Sequence, residues 1–405
     1  PCTFGMNFYF LAGKTLDKTF YSWQLLDPVH IYIHIPFCRR KCPYCDFPSF
    51  ALGSLEPGEG VDSYFDLLRK EMASRLAPNL DLPLETIYFG GGTPTAVDVS
   101  YLIDVLNFIK DRRPLSPDVE ITLEMNPGTL QETDLPRLRE AGFNRLSIGL
   151  QTSDDNKLKT LGRIHSKADY EKTLDMARRS GFSNISTDLM LALPNQIMED
   201  VKRDLDFLLA MDLSHLSLYS LIIEPDTPFG KKYREGESPL PDPETERAMD
   251  HLVRRTLKEA GYKHYEISNY AKEGFQSRHN LAYWEGKTYY GFGLGASSYV
   301  SAKRFTNAGD LKAYRDQILT SVLPPVEEYI DKAEAEKEFF IFRLRKMEGF
   351  TEAEYETLFA KAFPSDLKAI LQSFIREDLL EQQGDRYFYT ESGLDFADRV
   401  ARAFL

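Results

Sequence analysis

No run of about 18 apolar residues occurs in the 405-residue chain, so no stretch reads as a membrane-spanning helix. Cysteine is scarce, with four residues in all, and that excludes a disulfide scaffold. Basic side chains are outnumbered 49 to 62, and the net charge of −13 argues against nucleic acid as a partner along a phosphate-tracking surface. The first 29 residues lack the cationic start and continuous apolar stretch of a secretory signal. The chain opens on Pro1, and this segment is expected to form an aromatic-rich N-terminal arm that carries Cys2. No long internal repeat and no low-complexity tract is present.

What is present is an ordinary globular balance, 42% hydrophobic and 27% charged, which can bury a large core. The length suits a barrel of roughly 200–250 residues with a smaller appendage. Strand-like runs at His30–Ile35, Thr86–Phe89, Val119–Met125, Arg145–Leu150, Asn184–Leu191 and His215–Leu221 alternate with helical patterns. Those helices begin near Asp62, Val97, Gln131, Asp154 and Gln196, and Asp155 is read as a helix-start residue. Gly142, Gly181 and Gly261 read as helix stops. Six βα units in sequence predict a parallel sheet with right-handed crossovers. The expected fold is α/β, an incomplete (β/α)6 barrel over 30–250. A strand-rich extension over 251–325 follows, then a small, helical, winged-helix-like domain over 326–405, starting beyond Pro324–Pro325. With no basic stripe, that last unit reads as a packing or docking module rather than a DNA binder.

Three of the cysteines, Cys38, Cys42 and Cys45, lie within eight residues. Thiolates spaced this way can wrap one loop around a cubane 4Fe–4S cluster and leave one iron open. Arg39, Arg40 and Lys41 between them would offset the cluster's charge. A zinc site with His34 as fourth ligand, or three unligated thiols, are the alternatives. Clustered thiols also suggest a reducing compartment, cytoplasmic or inside an organelle. Gly90-Gly91-Gly92-Thr93-Pro94 follows the second strand, where consecutive glycines admit a ligand close to the backbone or merely make a tight turn. Polar residues then gather at or near the ends of successive strands: Glu124, Gln151, Asp188, Tyr219 and Ser220. Barrels build ligand sites there, and this convergence favours a partial barrel over a doubly wound sheet.

Together with Tyr32-Ile33-His34-Ile35-Pro36-Phe37, the cysteine motif resembles the radical S-adenosylmethionine (SAM) superfamily, in its coproporphyrinogen oxidase-like branch. The resemblance runs from about Ile31 to Leu405. It implies a cluster on Cys38, Cys42 and Cys45 whose open iron chelates SAM, with one electron cleaving the sulfonium to a deoxyadenosyl radical. It further implies SAM contacts at Gly91, Gly92 and Thr93, at Glu124, Gln151, Arg163, Asp188 and Ser220, and at Tyr32 and Tyr44 beside the cluster. An electron donor such as flavodoxin or ferredoxin is an implied partner, and a homodimer is a possible state.

One departure separates two functions within that branch. The oxygen-independent coproporphyrinogen III oxidases carry a further cysteine in a Cys-x-Cys pattern, whereas this chain reads Cys45-Asp46-Phe47. That ending resembles the HemW-type heme chaperones, as does His279-Asn280-Leu281-Ala282-Tyr283-Trp284. The resemblance implies heme and client hemoproteins as partners, with His279 tied to heme binding. Imidazole can ligate heme iron and the aromatics can pack on a macrocycle, though the residues alone equally read as a hydrogen-bonded interior histidine in an aromatic core. The alternative function is radical oxidative decarboxylation in porphyrin biosynthesis. Gly291-Phe292-Gly293-Leu294-Gly295 runs into strand-like sequence, so it reads as close backbone packing near the site rather than as a dinucleotide fingerprint.

Overall fold

A computed structural model describes residues 29–56, 59–76, 82–233, 239–320 and 324–405. The N-terminal arm, apart from Val29, and Cys2 lie outside the described residues. Six strands pair in parallel and in sequence order: β1 (Val29–Ile35), β2 (Leu84–Gly91), β3 (Leu115–Met125), β4 (Arg145–Gln151), β5 (Asn184–Leu191) and β6 (His215–Ser220). Helices such as Val61–Arg75, Val99–Lys110 and Lys167–Arg179 cross between them. The sheet does not close on itself. The antiparallel hairpin β7 (Lys263–Glu266) and β8 (Asn269–Ala271) extends it beyond β6. Beyond β1 it continues through β9 (Tyr289–Phe292), β10 (Ser297–Val300), β11 (Lys303–Thr306) and β12 (Glu328–Tyr329). The incomplete barrel expected from the sequence is the observed fold.

Alternation along the strands decides where the core lies. Ile31, Ile33, Ile87, Phe89, Ile121, Leu123, Leu146 and Ile148 are fully or almost fully buried in the main apolar core together with helix residues such as Leu68, Leu102 and Leu174. The intervening residues are polar and register with one another across the sheet: His30, Thr86 and Glu120; then Tyr32, Tyr88, Thr122 and Arg145. Glu124, Ser147, Ser186 and His215 form a further row. The concave side of the sheet is therefore a polar lumen.

Helix starts follow local side-chain chemistry. The cap of helix Asp155–Thr160 is Asp154, whose carboxylate accepts from the Asn156 and Lys157 amides. Asp155 is the first residue of that helix, as the sequence suggested, and its carboxylate also accepts from the Lys167 amide and joins two helices. Helix Pro243–Glu259 runs through the domain boundary expected at residue 250, so the strand extension continues the barrel's own sheet. The C-terminal unit has a separate apolar core around Phe339, Phe340, Phe350, Tyr355 and Leu371. Its helices carry a three-stranded sheet that includes the expected hairpin, Leu380–Gln383 with Arg386–Tyr389. Among the described residues no helix is long and apolar enough to cross a membrane.

Glu71 ties the strand extension to the barrel. Its buried carboxylate pairs with Arg75 and accepts from the Gly293 amide at 2.8 Å, Asn307 Nδ2 at 2.7 Å and the Tyr314 hydroxyl at 2.7 Å. Arg75 in turn donates to Gly291 O at 3.0 Å and Ser298 Oγ at 2.8 Å. The glycine-rich segment is thus docked through its backbone, as its sequence suggested. Removing the carboxylate strands a buried cation and three donors, so Glu71→Ala is expected to cost about 3–5 kcal/mol and Glu71→Gln clearly less. Urea unfolding midpoints of the two variants check this.

Candidate functional site

The loop after β1 carries the three cysteines across the carboxyl end of the barrel. All three are free thiols; Cys38 is buried, and Cys42 and Cys45 are partly exposed. A turn closes the loop, with the Cys45 amide donating to Cys42 O at 3.1 Å. Two of the basic residues within it, Arg39 and Lys41, also hold the loop in place. Arg39 donates to Gly128 O at 3.0 Å and Thr129 O at 2.7 Å, and Lys41 donates to Phe47 O at 3.0 Å. They pin the loop to carbonyls. The cation that reaches a sulfur comes from elsewhere: Arg163 lies 3.9 Å from Cys42 Sγ. The Thr93 hydroxyl donates to Cys38 Sγ at 3.5 Å.

This donor set fits a cluster better than a single ion. Among the described residues, no three His, Cys, Asp or Glu side chains converge as a single metal ion would require. His34 is not available as a fourth ligand, since its Nδ1 meets the Tyr32 hydroxyl at 3.0 Å and its Nε2 donates to Pro48 O at 2.9 Å. A cubane asks each thiolate to hold a different iron, which a spread-out triplet can do. Burial pushes the Cys38 thiol up and the Cys45 thiol up to about 11.

The neighbouring glycines are shaped for close approach. Gly91 has φ +115°, and an added Cβ would stand 2.6 Å from the His34 ring. At Gly92 the same atom would come within 3.0 Å of Cys38 Sγ. The Gly91 amide donates to Glu124 Oε2 at 3.1 Å, while the Tyr88 hydroxyl donates to Oε1 at 2.7 Å. Gln151 ends β4 with φ 74°, a strained conformation for a residue with a side chain, and accepts from the Tyr219 hydroxyl at 3.4 Å. Arg163 donates to Gly149 O at 2.7 Å and also to Asn126. Asp188 accepts from Ser147 Oγ at 3.3 Å, and Ser220 ends β6 opposite Leu191. Tyr44 packs beside Phe229, with ring centres 6.3 Å apart. The sequence-predicted residues other than His279 thus gather at one end of the barrel.

Residues 32–208 match the Radical SAM superfamily. A Bacillus subtilis (strain 168) protein named heme chaperone HemW is 36% identical over 379 residues, 92% of this chain and 98% of that protein. The heme chaperone HemW of Escherichia coli (strain K12) is 34% identical over 384 residues, 94% and 99% of the two chains. The chain belongs to the HemW family of radical SAM proteins. Its fold matches that of the coproporphyrinogen III oxidase HemN from Escherichia coli, a radical SAM enzyme, with a TM-score of 0.82 at 21% identity over 95% of this chain and 92% of that one. Superfamily membership implies a 4Fe–4S cluster and SAM as cofactors.

His279 lies at the other end of the lumen. Its helix, Arg278–Trp284, is capped by Ser277, and the Glu120 carboxylate accepts from the Arg278 and His279 amides, each at 3.1 Å. The ring stacks on Tyr88 with centres 5.0 Å apart. Its Nδ1 meets the Thr86 hydroxyl at 2.6 Å and its Nε2 the Tyr283 hydroxyl at 3.0 Å. Whichever nitrogen carries the proton, both are engaged, and the residue is only 2% exposed. His279, expected from the sequence to take part in heme binding, is thus a buried ring with both nitrogens against hydroxyls, and Tyr283 packs against Tyr289. Thr86, its partner, is five residues before Gly91, about 16 Å along the strand.

Sequence reasoning missed Asn126, which donates to Thr93 Oγ1 at 2.8 Å and accepts from Arg163, joining the glycine turn to the arginine. Its place in Glu124-Met125-Asn126-Pro127, just past a strand end, was the available signal. Arg145 was missed as well. It is buried in the lumen with no partner for Nε among the described residues, and its charge helps keep His215 and His279 neutral.

Burial, reinforced by Glu124, pushes the Asp188 carboxyl up to about 6. The folded chain thus holds this proton more tightly than the unfolded chain, and ionising the group costs stability as pH rises from 4 through 6. Asp188→Asn is expected to stabilise the protein by about 1–2 kcal/mol at pH 7, allowing for partial solvent contact, and to change little at pH 4. Urea midpoints at the two pH values test both the sign and the window.

Proposed function

We propose that this chain is a heme chaperone of radical-SAM type, which binds heme and passes it to client hemoproteins. The observation that carries the reading is the near full-length identity of 31–36% to curated relatives named heme chaperone HemW. Cys45-Asp46-Phe47, without a fourth cysteine in the motif, supports it against the decarboxylase reading. Cys38, Cys42 and Cys45 would hold the cluster. Tyr32, Tyr44, Gly91, Gly92, Thr93, Glu124, Gln151, Arg163, Asp188 and Ser220 would line the SAM site. When bound, the cluster and SAM supply one-electron reductive chemistry. An electron donor of the flavodoxin or ferredoxin class is the corresponding partner, and a homodimer is the proposed assembly.

The chain's own residues prepare the site in definite ways. The Arg163 guanidinium, fixed by Gly149 O and Asn126, places a positive charge beside Cys42. Glu124 and Asp188 offer carboxylate acceptors of the kind that bind ribose hydroxyls. Tyr32, stacked on Tyr88 at 6.1 Å, meets His34 Nδ1 through its hydroxyl at 3.0 Å on the strand that leads into the cysteine loop.

Anaerobic reconstitution with iron and sulfide, followed by hemin titration of the wild-type chain, tests the reading. Cluster absorbance that disappears in Cys42→Ala, together with saturable hemin uptake near one equivalent, is expected. Incubation with coproporphyrinogen III, SAM and reductant is expected to give no decarboxylated product. A reconstituted chain that takes up no hemin, or one that decarboxylates, overturns the proposal.

A further inference from the structure

Charged side chains are arranged differently at the two ends of the barrel. At the amino ends, a cleft of about 540 Å³ is lined by ions that offset one another. Arg278 meets Asp118 there at 3.1 Å, and Lys346 meets Glu285 at 3.0 Å and Glu348 at 2.6 Å. At the carboxyl ends, the cysteine loop carries Arg39, Arg40 and Lys41, all three exposed and none in an ion pair among the described residues. Arg39 and Lys41 donate to backbone carbonyls, which leaves their charge uncancelled. Arg40 reaches neither a carbonyl nor a carboxylate among the described residues.

Two further segments rest directly on this loop and bring more cations with them. The turn after helix Asp155–Thr160 lies on Pro43, where a Cβ at Gly162 would come within 2.5 Å, and the last turn of that helix holds the exposed Lys159. Helix Pro228–Tyr233 is joined through the Phe229 amide, 2.9 Å from Pro43 O, and through the Phe229 ring beside Tyr44. Its last turn holds Lys231 and Lys232, both exposed and unpaired among the described residues. Over residues 36–55, 154–164 and 221–233 there are eight basic and five acidic side chains, in a chain whose net charge is −13. The positive surplus is local, and it lies beside the thiols. Apolar groups accompany it. Two of the seven exposed large hydrophobic residues among those described, Ile164 and Ile222, belong to these segments, each 55% exposed. Ile164 adjoins Arg163, and Ile222 follows Leu221, which shares a buried cluster with Leu161 and Phe229. Exposed apolar side chains set among cations have the composition of a protein-docking surface.

Resting on the radical-SAM reading, we propose that this face of the cysteine loop docks an acidic one-electron carrier protein. Arg40, Lys231 and Lys232 meet its carboxylates, and Ile164 and Ile222 make the apolar contacts. One electron passes from the carrier's reduced cofactor to the cluster, so the carrier is oxidised by one electron and the cluster reduced by one. The location follows from the chemistry. Electron transfer demands a short path between cofactors, and Cys42 and Cys45 are the thiols that reach the surface. Pro43 and Tyr44 between them carry the contacts to both flanking segments. The net negative charge of the chain opposes an acidic partner elsewhere, so the local surplus also orients it. A small, electrostatically steered contact suits a donor that must leave after each electron.

The test uses the full chain, reconstituted anaerobically, with an acidic flavodoxin and, separately, a 2Fe–2S ferredoxin as probes. Calorimetry with the oxidised carriers reads binding, and electron paramagnetic resonance after rapid freezing reads cluster reduction by the reduced ones. Arg40→Glu and the double variant Lys231→Glu/Lys232→Glu, all exposed changes, are expected to weaken binding of at least one carrier at least fivefold at low salt. Cluster reduction by that carrier should slow by a similar factor. Rising salt should bring wild type down toward the variants. Ile222→Ser is expected to weaken binding several-fold while keeping the salt dependence of wild type. Photoreduction by 5-deazariboflavin, which needs no docking surface, should be equal in all of them, and this separates lost docking from a damaged cluster. Variants that bind both carriers and are reduced by them as wild type is overturn the surface assignment, while the radical-SAM reading stands. So does a wild-type chain that holds a cluster yet binds neither carrier. Wild type that assembles no cluster overturns the reading itself.

Discussion

A polar side chain on the inner face of the six parallel strands has little water to turn to, and most find partners across the lumen. Much of the molecule's arrangement follows from that requirement. Tyr88 gives its proton to Glu124 and lends its ring to His279, so one residue of β2 touches both ends of the lumen. Ser186 joins His215, which reaches Tyr265 in the strand extension, and the same tyrosine hydroxyl accepts the Ser277 amide at the cap of helix Arg278–Trp284. The barrel is open as a sheet, yet its interior is closed by these contacts. The apolar core lies outside the lumen, between strands and helices, where it can be extensive without obstructing a ligand site.

The cysteine loop depends on the same economy of partners. A loop of polar and charged residues at a barrel's mouth has few apolar contacts to hold it. Here Arg39 and Lys41 satisfy carbonyls, Thr93 reaches Cys38 and Arg163 reaches Cys42. Asn126 then connects the last two. Gly162, with an added Cβ only 2.5 Å from Pro43, lets the turn before Arg163 lie directly on the loop. Three distant segments are thereby held in one geometry.

The two ends of the barrel differ in kind. At the carboxyl ends are free thiols, close-packed glycines, a strained Gln151 and two carboxylates. At the amino ends are a neutral histidine floor, a capped helix and an open cleft beneath it. Helix Arg278–Trp284 is common to both, since its His279 ring packs on the tyrosine that binds Glu124, while its other side lines the cleft.

Much of this was legible in the sequence because it rests on local chemistry. The period of two in the strands, the glycines that end helices and the spacing of Cys38, Cys42 and Cys45 are all settled within a few residues, and they predicted the six strands and the side on which the thiols lie. The positions of Glu124 and Gln151 at strand ends were likewise legible, since every strand of a parallel barrel ends on the same face, and Asp188 lies within its strand as expected. Other features were decided by tertiary structure alone. His279 sits in a recognisable motif, but that both its nitrogens are engaged depends on Thr86, 193 positions away in the chain. Arg39 looked like a counter-charge until its contacts with carbonyls 89 and 90 residues distant were seen. The cleft at the amino ends exists only because Glu120, helix Arg278–Trp284 and the 346–348 segment meet in space. Hydrogen-bond partners and cavities are relations between distant segments, which sequence periodicity does not encode.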